Sequence, residues 1–158
     1  MPRKEGVLNV GLRWSGNPKF EHEQLRKFPP KLMLDLCDIP GIQFYSLQKE
    51  DQQLLPASVT DLEPLLGTWG CTASAIQRMD LVITSCTAVA HLAAGMGKPT
   101  WVVVPVMPYY PWARPGSKSD WYPTVKLFRQ ECYGEWWKPF DEISKNLREM
   151  RLASASVG

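Results

Sequence analysis

Apolar runs recur along the chain, and each is ended by turn-forming or polar residues. Such runs, four to eight residues long, are typical of buried β-strands. The first run ends at the Ser-Gly-Asn-Pro turn of residues 15–18, and another runs into the Ser-Cys-Thr segment of residues 85–87. Strands are predicted over residues 7–14, 42–48, 80–85, 99–105 and 125–129.

Helical periodicity lies between and after these runs. The last segment is the clearest, because its apolar residues recur at spacings of three and four, as on one face of an amphipathic helix. Helices are predicted over residues 31–37, 72–79, 87–96 and 136–150. Two prolines favour turns and loops over residues 51–69, and a proline-rich long loop is predicted over residues 106–123. Residues 1–6 are expected to be a flexible N-terminus and residues 153–158 a flexible tail.

The alternation of strands and helices predicts a single Rossmann-like α/β domain over residues 7–152. Continuous apolar strands favour a mostly parallel sheet with helices on both faces. Ligands of such sheets bind outside the carboxyl ends of the strands. The candidate site therefore lies among four segments: residues 15–19, 48–49, 84–88 and 105–123.

Composition narrows the class of protein. The chain has 158 residues, enough for one domain, and its net charge of +2 does not favour a nucleic-acid partner. No stretch approaches ~20 apolar residues, and the N-terminus lacks the apolar core of a signal peptide, so we expect a cytoplasmic protein without a membrane span. The spacing of the four cysteines fits neither a zinc site nor a CxxC motif, so free thiols and no metal are expected.

The segment with the clearest chemical signal is MDLVITSCTAVAHLAAGMGKP, residues 79–99. A buried strand runs into a helix through a small, hydroxyl-rich turn, and the free N–H groups of a helix start suit a phosphate. Ser85 and Thr87 can add hydroxyl donors. The alternative is that they are ordinary helix caps, which favour Ser and Thr in any case.

This segment resembles the signature of glycosyltransferases with the GT-B architecture. It is most similar to the bacterial heptosyltransferase-like proteins often fused to tetratricopeptide repeats, and more distantly to O-linked N-acetylglucosamine transferases. Further segments resemble the same family in the same order along residues 7–150. They are GLRWSGNP at residues 11–18, YSLQK at 45–49, TA followed by Ile76 at 72–76, and WYP, LFRQ and Trp136 at 121–136.

The resemblance implies the donor-binding C-terminal domain, one half of a GT-B fold, whose substrate is a nucleotide-diphosphate sugar and which needs no cofactor. An acceptor-binding domain or a second chain is the implied partner. This chain departs from the family pattern at three places. Cys86 and Cys71 stand where the family has Asp, and Arg26-Lys27 stands where it has an Arg-Ser pair.

The candidate donor-binding residues follow from the strand ends and the resemblance. Backbone N–H groups around the first turn can hold an anion, Lys19 and Lys49 can pair with a diphosphate, and His91 lies one helical turn after Thr87. The alternatives are a plain turn, solvated lysines and a hydrogen-bonded core histidine. Trp112 suits either stacking on a ligand or packing, whereas packing is favoured for Trp121. The full set is Ser15, Gly16, Asn17, Lys19, Gln48, Lys49, Ser85, Cys86, Thr87, Ala88, His91 and Trp112.

Two functions from different classes remain open. The first is donor binding by a glycosyltransferase domain that is catalytically incomplete alone, because neither His22 nor His91 is a strong candidate for the general base. The second is a non-catalytic binding or interaction module that retains the fold, which Cys71 and Cys86 in place of acids would suit. An NAD-dependent oxidoreductase is disfavoured, since no GxGxxG follows the first strand.

Overall fold

The computed structural model describes residues 6–51 and 53–156, and in them six strands form one parallel sheet. The strand order is β3-β2-β1-β4-β5-β6, and every neighbouring pair is parallel. The strands are β1 (Leu8–Arg13), β2 (Ile42–Ser46), β3 (Val59–Asp61), β4 (Leu81–Ser85), β5 (Thr100–Val104) and β6 (Val125–Arg129). The predicted class, a single Rossmann-like α/β domain, is confirmed.

Helices connect the strands. The α-helices are α1 (Glu23–Arg26), α2 (Pro30–Leu34), α3 (Trp69–Gln77), α4 (Ala88–Gly95) and α5 (Trp137–Ala155). Short 3-10 helices span Asp35–Asp38, Glu63–Leu65 and Tyr110–Trp112. Among the described residues no helix is long and apolar enough to cross a membrane.

Both faces of the sheet are buried, which explains why its strands are continuous apolar runs. Successive side chains of a strand point to opposite faces. In β4, Leu81 and Ile83 belong to one core cluster, whereas Val82 between them belongs to another. In β5, Val103 joins the first cluster while its neighbours join a third. A polar residue at any of these positions would be buried on one face or the other.

The helices cover these faces with the periodicity expected from the sequence. In α5, Phe140, Ile143 and Leu147 pack into the first cluster. In α4, Val89 and Ala93 join the second cluster, and Ala90 and Ala94 join the third. The small alanines let α4 pack closely on the sheet, and its first turn is thereby held at the end of β4.

Helix α1 was not predicted, and α3 begins at Trp69 and not at residue 72. Two further regions differ from the predictions. Residues 51–69 hold turns and also a short edge strand, Val59–Asp61. Within this strand only Val59 is buried. A strand of three residues with one buried position is too short to show the alternation of apolar and polar residues by which strands are recognised. The last helix runs on to Ala155, so that residues 153–155 of the predicted tail are helical. Residues 1–5 of the predicted flexible N-terminus and residues 157–158 of the tail lie outside the described residues.

Candidate functional site

The candidate site lies between the carboxyl ends of β1 and β4, where the order of connection reverses. From β1 the chain proceeds through β2 and β3 to one side, and it returns to add β4, β5 and β6 on the other. The two central strands are paired up to Arg13 and Thr84. The loops that leave them diverge beyond this point, and such a switch point is where open α/β sheets bind ligands.

A first cavity of about 610 Å³ opens at this point, and most of the charged side chains of the site line it, together with apolar residues. Gly16 and its neighbours line it from the β1 loop, Thr87 from the start of α4, and Lys49 from the end of the β2 loop. The full lining is Arg13, Ser15, Gly16, Asn17, Pro18, Phe20, Glu23, Arg26, Lys27, Lys49, Glu50, Asp51, Trp69, Thr87, Ala88 and Val89.

The buried amide of Gln48 shapes the β1 loop. Its Oε1 accepts hydrogen bonds from the backbone N–H groups of Trp14 (3.2 Å) and Ser15 (3.1 Å). Its Nε2 donates to Ser15 Oγ (2.8 Å) and to the carbonyl of Lys49 (3.0 Å). The side chain of this predicted ligand-binding residue is therefore engaged within the protein, where it joins the β1 loop to the β2 loop.

Arg13 reinforces the same loop. Its Nη1 donates to the carbonyl of Leu47 (2.9 Å) and its Nε to the carbonyl of Ser15 (3.1 Å). Burial, and then the positive charge of Arg26, lower the pKa of Arg13 from its ordinary value. Arg13 and Arg26 both line the first cavity, so that two guanidinium groups contribute positive charge there.

The N-terminus of α4 lacks the capping bond that its N-cap residue can supply. Thr87 is the N-cap, but its hydroxyl makes no capping bond and lies 3.1 Å from the hydroxyl of Thr84. By contrast, Thr68 at the start of α3 accepts from the N–H of Cys71 at 3.1 Å. Ser85, also at the end of β4, is 1% exposed and its Oγ has no hydrogen-bond partner among the described residues.

Cys86 is a neutral, buried thiol. Its Sγ donates to the carbonyl of Val103 at 3.4 Å. Burial raises its pKa to about 12, although the charge of Arg26 acts in the opposite direction. Cys86 therefore cannot supply the negative charge of the acid that the glycosyltransferase pattern has at this position.

Arg26 joins the two sides of the site, and its placement was not predicted. Its Nη1 donates to the carbonyl of Cys86, and its Nε and Nη2 contact the carboxylate of Glu23. The guanidinium also lies over the ring of Phe20, 4.5 Å from its centroid. A Cβ on Gly16 would collide with this guanidinium, so that only glycine permits the approach. The one sequence signal was the Arg-Lys pair in the position of the family's Arg-Ser pair.

A second cavity, of about 550 Å³, lies beside the first and is mostly apolar. Arg26, Thr87, Ala88 and Phe20 line both cavities, so that the start of α4 forms their common wall. The full lining is Phe20, His22, Leu25, Arg26, Cys86, Thr87, Ala88, His91, Pro105, Met107, Pro108, Tyr109, Tyr110 and Trp112.

An aromatic group forms one wall of this second cavity. The ring of His91 stacks on Trp112 at 4.9 Å between centroids, and its Nδ1 lies 3.0 Å from the hydroxyl of Tyr122. Burial lowers the pKa of His91. Trp121, for which packing was favoured, is instead 60% exposed and meets Tyr110 edge-on at 5.9 Å.

The predicted residues fall into four groups. Ser15, Gly16, Asn17 and Lys49 line the first cavity, and Thr87 and Ala88 line both. Cys86, His91 and Trp112 line the second. Lys19, Gln48 and Ser85 line neither of these two cavities. Arg13, Phe20 and Glu23 line the first cavity but were not predicted. Arg13 is the last residue of β1, and the positions of Phe20 and Glu23 depend on how residues 14–27 fold back over the sheet.

The described residues contain no group of three or more His, Cys, Asp or Glu side chains arranged to hold a metal ion. The charged groups at the site are instead those of Arg13, Arg26, Lys27 and Lys49, facing Glu23, Glu50 and Asp51.

The fold and the position of the cavities define a Rossmann-like α/β domain with a cleft at the switch point of its sheet. No family model matches the chain. It is 28% identical over 152 residues to the protein FlbA of Caulobacter vibrioides, a match that covers 89% of this chain and 25% of FlbA. The chain thus spans about a quarter of the length of this relative.

Two solved structures resemble the fold. One is a glycosyl transferase of family 9 from Veillonella parvula, with a TM-score of 0.47 and 14% identity over 98% of this chain and 46% of that one. The other is carbon monoxide dehydrogenase IV from Carboxydothermus hydrogenoformans, with a TM-score of 0.44 and 13% identity over 96% and 22% of the two chains. Both TM-scores are below 0.5, so the interpretation of the site rests on this chain's own residues.

Proposed function

We propose that this chain is the nucleotide-diphosphate-sugar-binding domain of a glycosyltransferase. The observation that carries the proposal is the meeting of two cavities at the start of α4 beside Arg26, one lined by several charged side chains and the other mostly apolar. A nucleotide sugar has a charged diphosphate joined to an uncharged base and sugar. Two adjoining cavities of this kind suit the two parts of such a ligand. The motif at residues 79–99 leads to the same ligand class.

The start of α4 is suited to the diphosphate. Its N–H groups carry the positive end of the helix dipole, and the hydroxyl of Thr87 does not cap them. The guanidinium of Arg26 lies at the same wall and can form paired hydrogen bonds to phosphate oxygens. Lys49 and Lys27 add positive charge around the first cavity.

The second cavity is suited to the base or the sugar. Its wall carries the rings of Tyr109, Tyr110 and Trp112, and its volume of about 550 Å³ lies within the range of small-molecule sites. Trp112 is 1% exposed and stacked on His91, so that it contributes apolar packing beneath the ligand. Tyr109 and Tyr110 are exposed and are the rings available for stacking.

We propose that this domain does not itself supply the general base that transfer of the sugar requires. An inverting transfer needs a base to accept the proton of the acceptor hydroxyl. His91 is engaged with Tyr122 and Trp112, and His22 is exposed beside Glu21 at 3.1 Å. We therefore propose that a second domain or chain supplies the acceptor site and the base.

Calorimetric titration with nucleoside diphosphates, nucleotide sugars and the uncharged nucleosides tests this proposal. Binding is expected for the diphosphates, and Arg26→Ala should weaken it by roughly tenfold or more, since it removes a charged hydrogen-bond donor. Arg148→Ala, which removes the same charge from the exposed face of α5, should leave it unchanged. The absence of binding by any nucleotide at millimolar concentration would favour the interaction module instead.

A further inference from the structure

Glu23 places a carboxylate of the protein itself in the corner that the proposed ligand would enter. Its Oε1 accepts from the backbone N–H of Gly16 at 3.3 Å, and its Oε2 contacts the Nε and Nη2 of Arg26. The side chains of Glu23 and Arg26 are only 12% and 13% exposed. A buried guanidinium and a loop N–H are thus already engaged by an anion.

The pair also lies where the two cavities adjoin. Glu23 lines the first cavity, whereas Arg26 lines both and is tied across the cleft to the carbonyl of Cys86. A ligand that extends from one cavity to the other has to pass this pair. The phosphate oxygens and the Glu23 carboxylate would then compete for the same N–H donors, because neither can approach closely while the other stays.

We propose that Glu23 is an internal competitor that sets the affinity and the charge selectivity of this site; this inference rests on the proposed function. An anionic ligand binds by taking Arg26 and the N–H of Gly16 from the Glu23 carboxylate. A carboxylate left beside a diphosphate in a largely buried corner is strongly repelled. Glu23 therefore swings out, and only a ligand with enough charge to replace it is retained.

The helix that carries Glu23 is short and is expected to open easily. Helix α1 has four residues, and its N-cap residue, His22, makes no side-chain capping bond. Two backbone hydrogen bonds close its turn. The N–H of Lys27 donates to the carbonyl of Glu23 at 3.0 Å, and the N–H of Leu25 donates to the carbonyl of His22 at 3.1 Å. Release of Glu23 should loosen these bonds, because one turn of helix has little stability of its own.

The first test compares the affinity of inorganic pyrophosphate for the unaltered protein, Glu23→Gln and Glu21→Gln. Glu21 is two residues away with its side chain 82% exposed, so its variant removes the same charge outside the corner. Glu23→Gln keeps the shape of the side chain, and it should bind pyrophosphate roughly tenfold or more tightly than the unaltered protein. Glu21→Gln should bind as the unaltered protein does.

Equal or weaker binding by Glu23→Gln would overturn the inference while the proposed function stands. No binding of pyrophosphate or of any nucleotide by either protein would reject both. An uncharged nucleoside serves as the comparison, since its affinity should not respond to Glu23→Gln.

The second test needs no variant. Hydrogen exchange of the amides of Leu25 and Lys27 is measured in the unaltered protein with and without pyrophosphate. The inference predicts faster exchange when pyrophosphate is bound, whereas the amides within β4 should exchange as before or more slowly. Slower exchange in α1 on binding would mean that the ligand leaves Glu23 in place, and it would overturn the inference.

Discussion

The imidazole of His91 lies nearly parallel to the indole of Trp112, with 4.9 Å between the ring centroids and 29° between the planes. The Nδ1 of the same imidazole is 3.0 Å from the hydroxyl of Tyr122. Helix α4 is thereby joined to the long loop that follows β5. The contact fixes the position of this loop against α4, and it could not be predicted from the sequence.

Acidification should destabilise the protein through His91. Burial lowers its pKa below the ordinary value of 6.5, so that the unfolded chain takes up a proton at a pH where the folded chain does not. Stability is therefore lost as the pH falls through about 6.5, and the loss levels off below the pKa of the folded state. Denaturant unfolding between about pH 7.5 and about pH 5 measures this dependence.

His91→Gln should flatten that part of the pH dependence, whereas His22→Gln should leave it as it is. The side chain of His22 is 61% exposed and serves as the matched control. A slope that is unchanged in His91→Gln would show that other groups cause the loss of stability.

Trp112→Ala should destabilise the fold by about 3–5 kcal/mol, as expected for a large aromatic residue removed from a core. Trp112 is 1% exposed and packs with the third core cluster around β5. Trp121→Ala, at an exposed position of the same loop, should change stability by no more than about 0.5 kcal/mol. Urea unfolding of both variants makes the comparison, and similar losses would contradict the burial of Trp112.

Gln48→Ala should cost about 1–3 kcal/mol, because it leaves the N–H groups of Trp14 and Ser15 without their acceptor in a buried setting. It should also loosen the β1 loop and weaken nucleotide binding. Gln77→Ala, at an exposed position of α3, is the control and should be close to neutral. Thermal unfolding and nucleotide titration are the measurements. Full stability in Gln48→Ala would mean that the loop does not depend on this amide.

The four cysteines are free thiols and should differ widely in reactivity. Hydrogen bonds from the hydroxyl and from the backbone of Thr68 lower the pKa of the exposed Cys71, whereas burial raises the pKa of Cys37 and Cys86 to about 12. Iodoacetamide at about pH 8, followed by mass spectrometry, should modify Cys71 long before either buried thiol.

Thr68→Val should slow the alkylation of Cys71 because it removes the hydroxyl, and Thr68→Ser should retain the rate. Equal rates in the two variants would assign the reactivity of Cys71 to exposure alone. Labelling of Cys86 at the rate of Cys71 in the folded protein would contradict its burial.

The strands could be predicted because the sheet is covered on both faces. In β4 and β5 every residue is buried, so each reads as an uninterrupted apolar or β-branched run bounded by polar residues. The edge strand β3 was missed because two of its three residues are exposed. The other edge strand, β6, was predicted because three of its five residues are buried.

The candidate site was predicted only as far as it follows strand ends. Gly16, Lys49 and Thr87 come directly after strands, and the rule for parallel sheets brings them to one edge. Arg26 and Glu23 belong to the single helical turn of α1, which is too short to show a periodic pattern, and Arg26 meets Cys86 across a separation of sixty residues. Nothing local in the chain encodes that contact.

The two cavities are lined mostly by loop residues and helix starts, although Cys86, Val89 and Trp112 of the lining also belong to the core clusters. Substitutions at the exposed lining positions, such as Asn17, Tyr109 and Tyr110, can thus accumulate without disturbing the sheet. Ligand preference in such a domain is free to drift over generations while its apolar skeleton stays constant. Two descendants with identical cores can therefore differ in whether they bind anything at all.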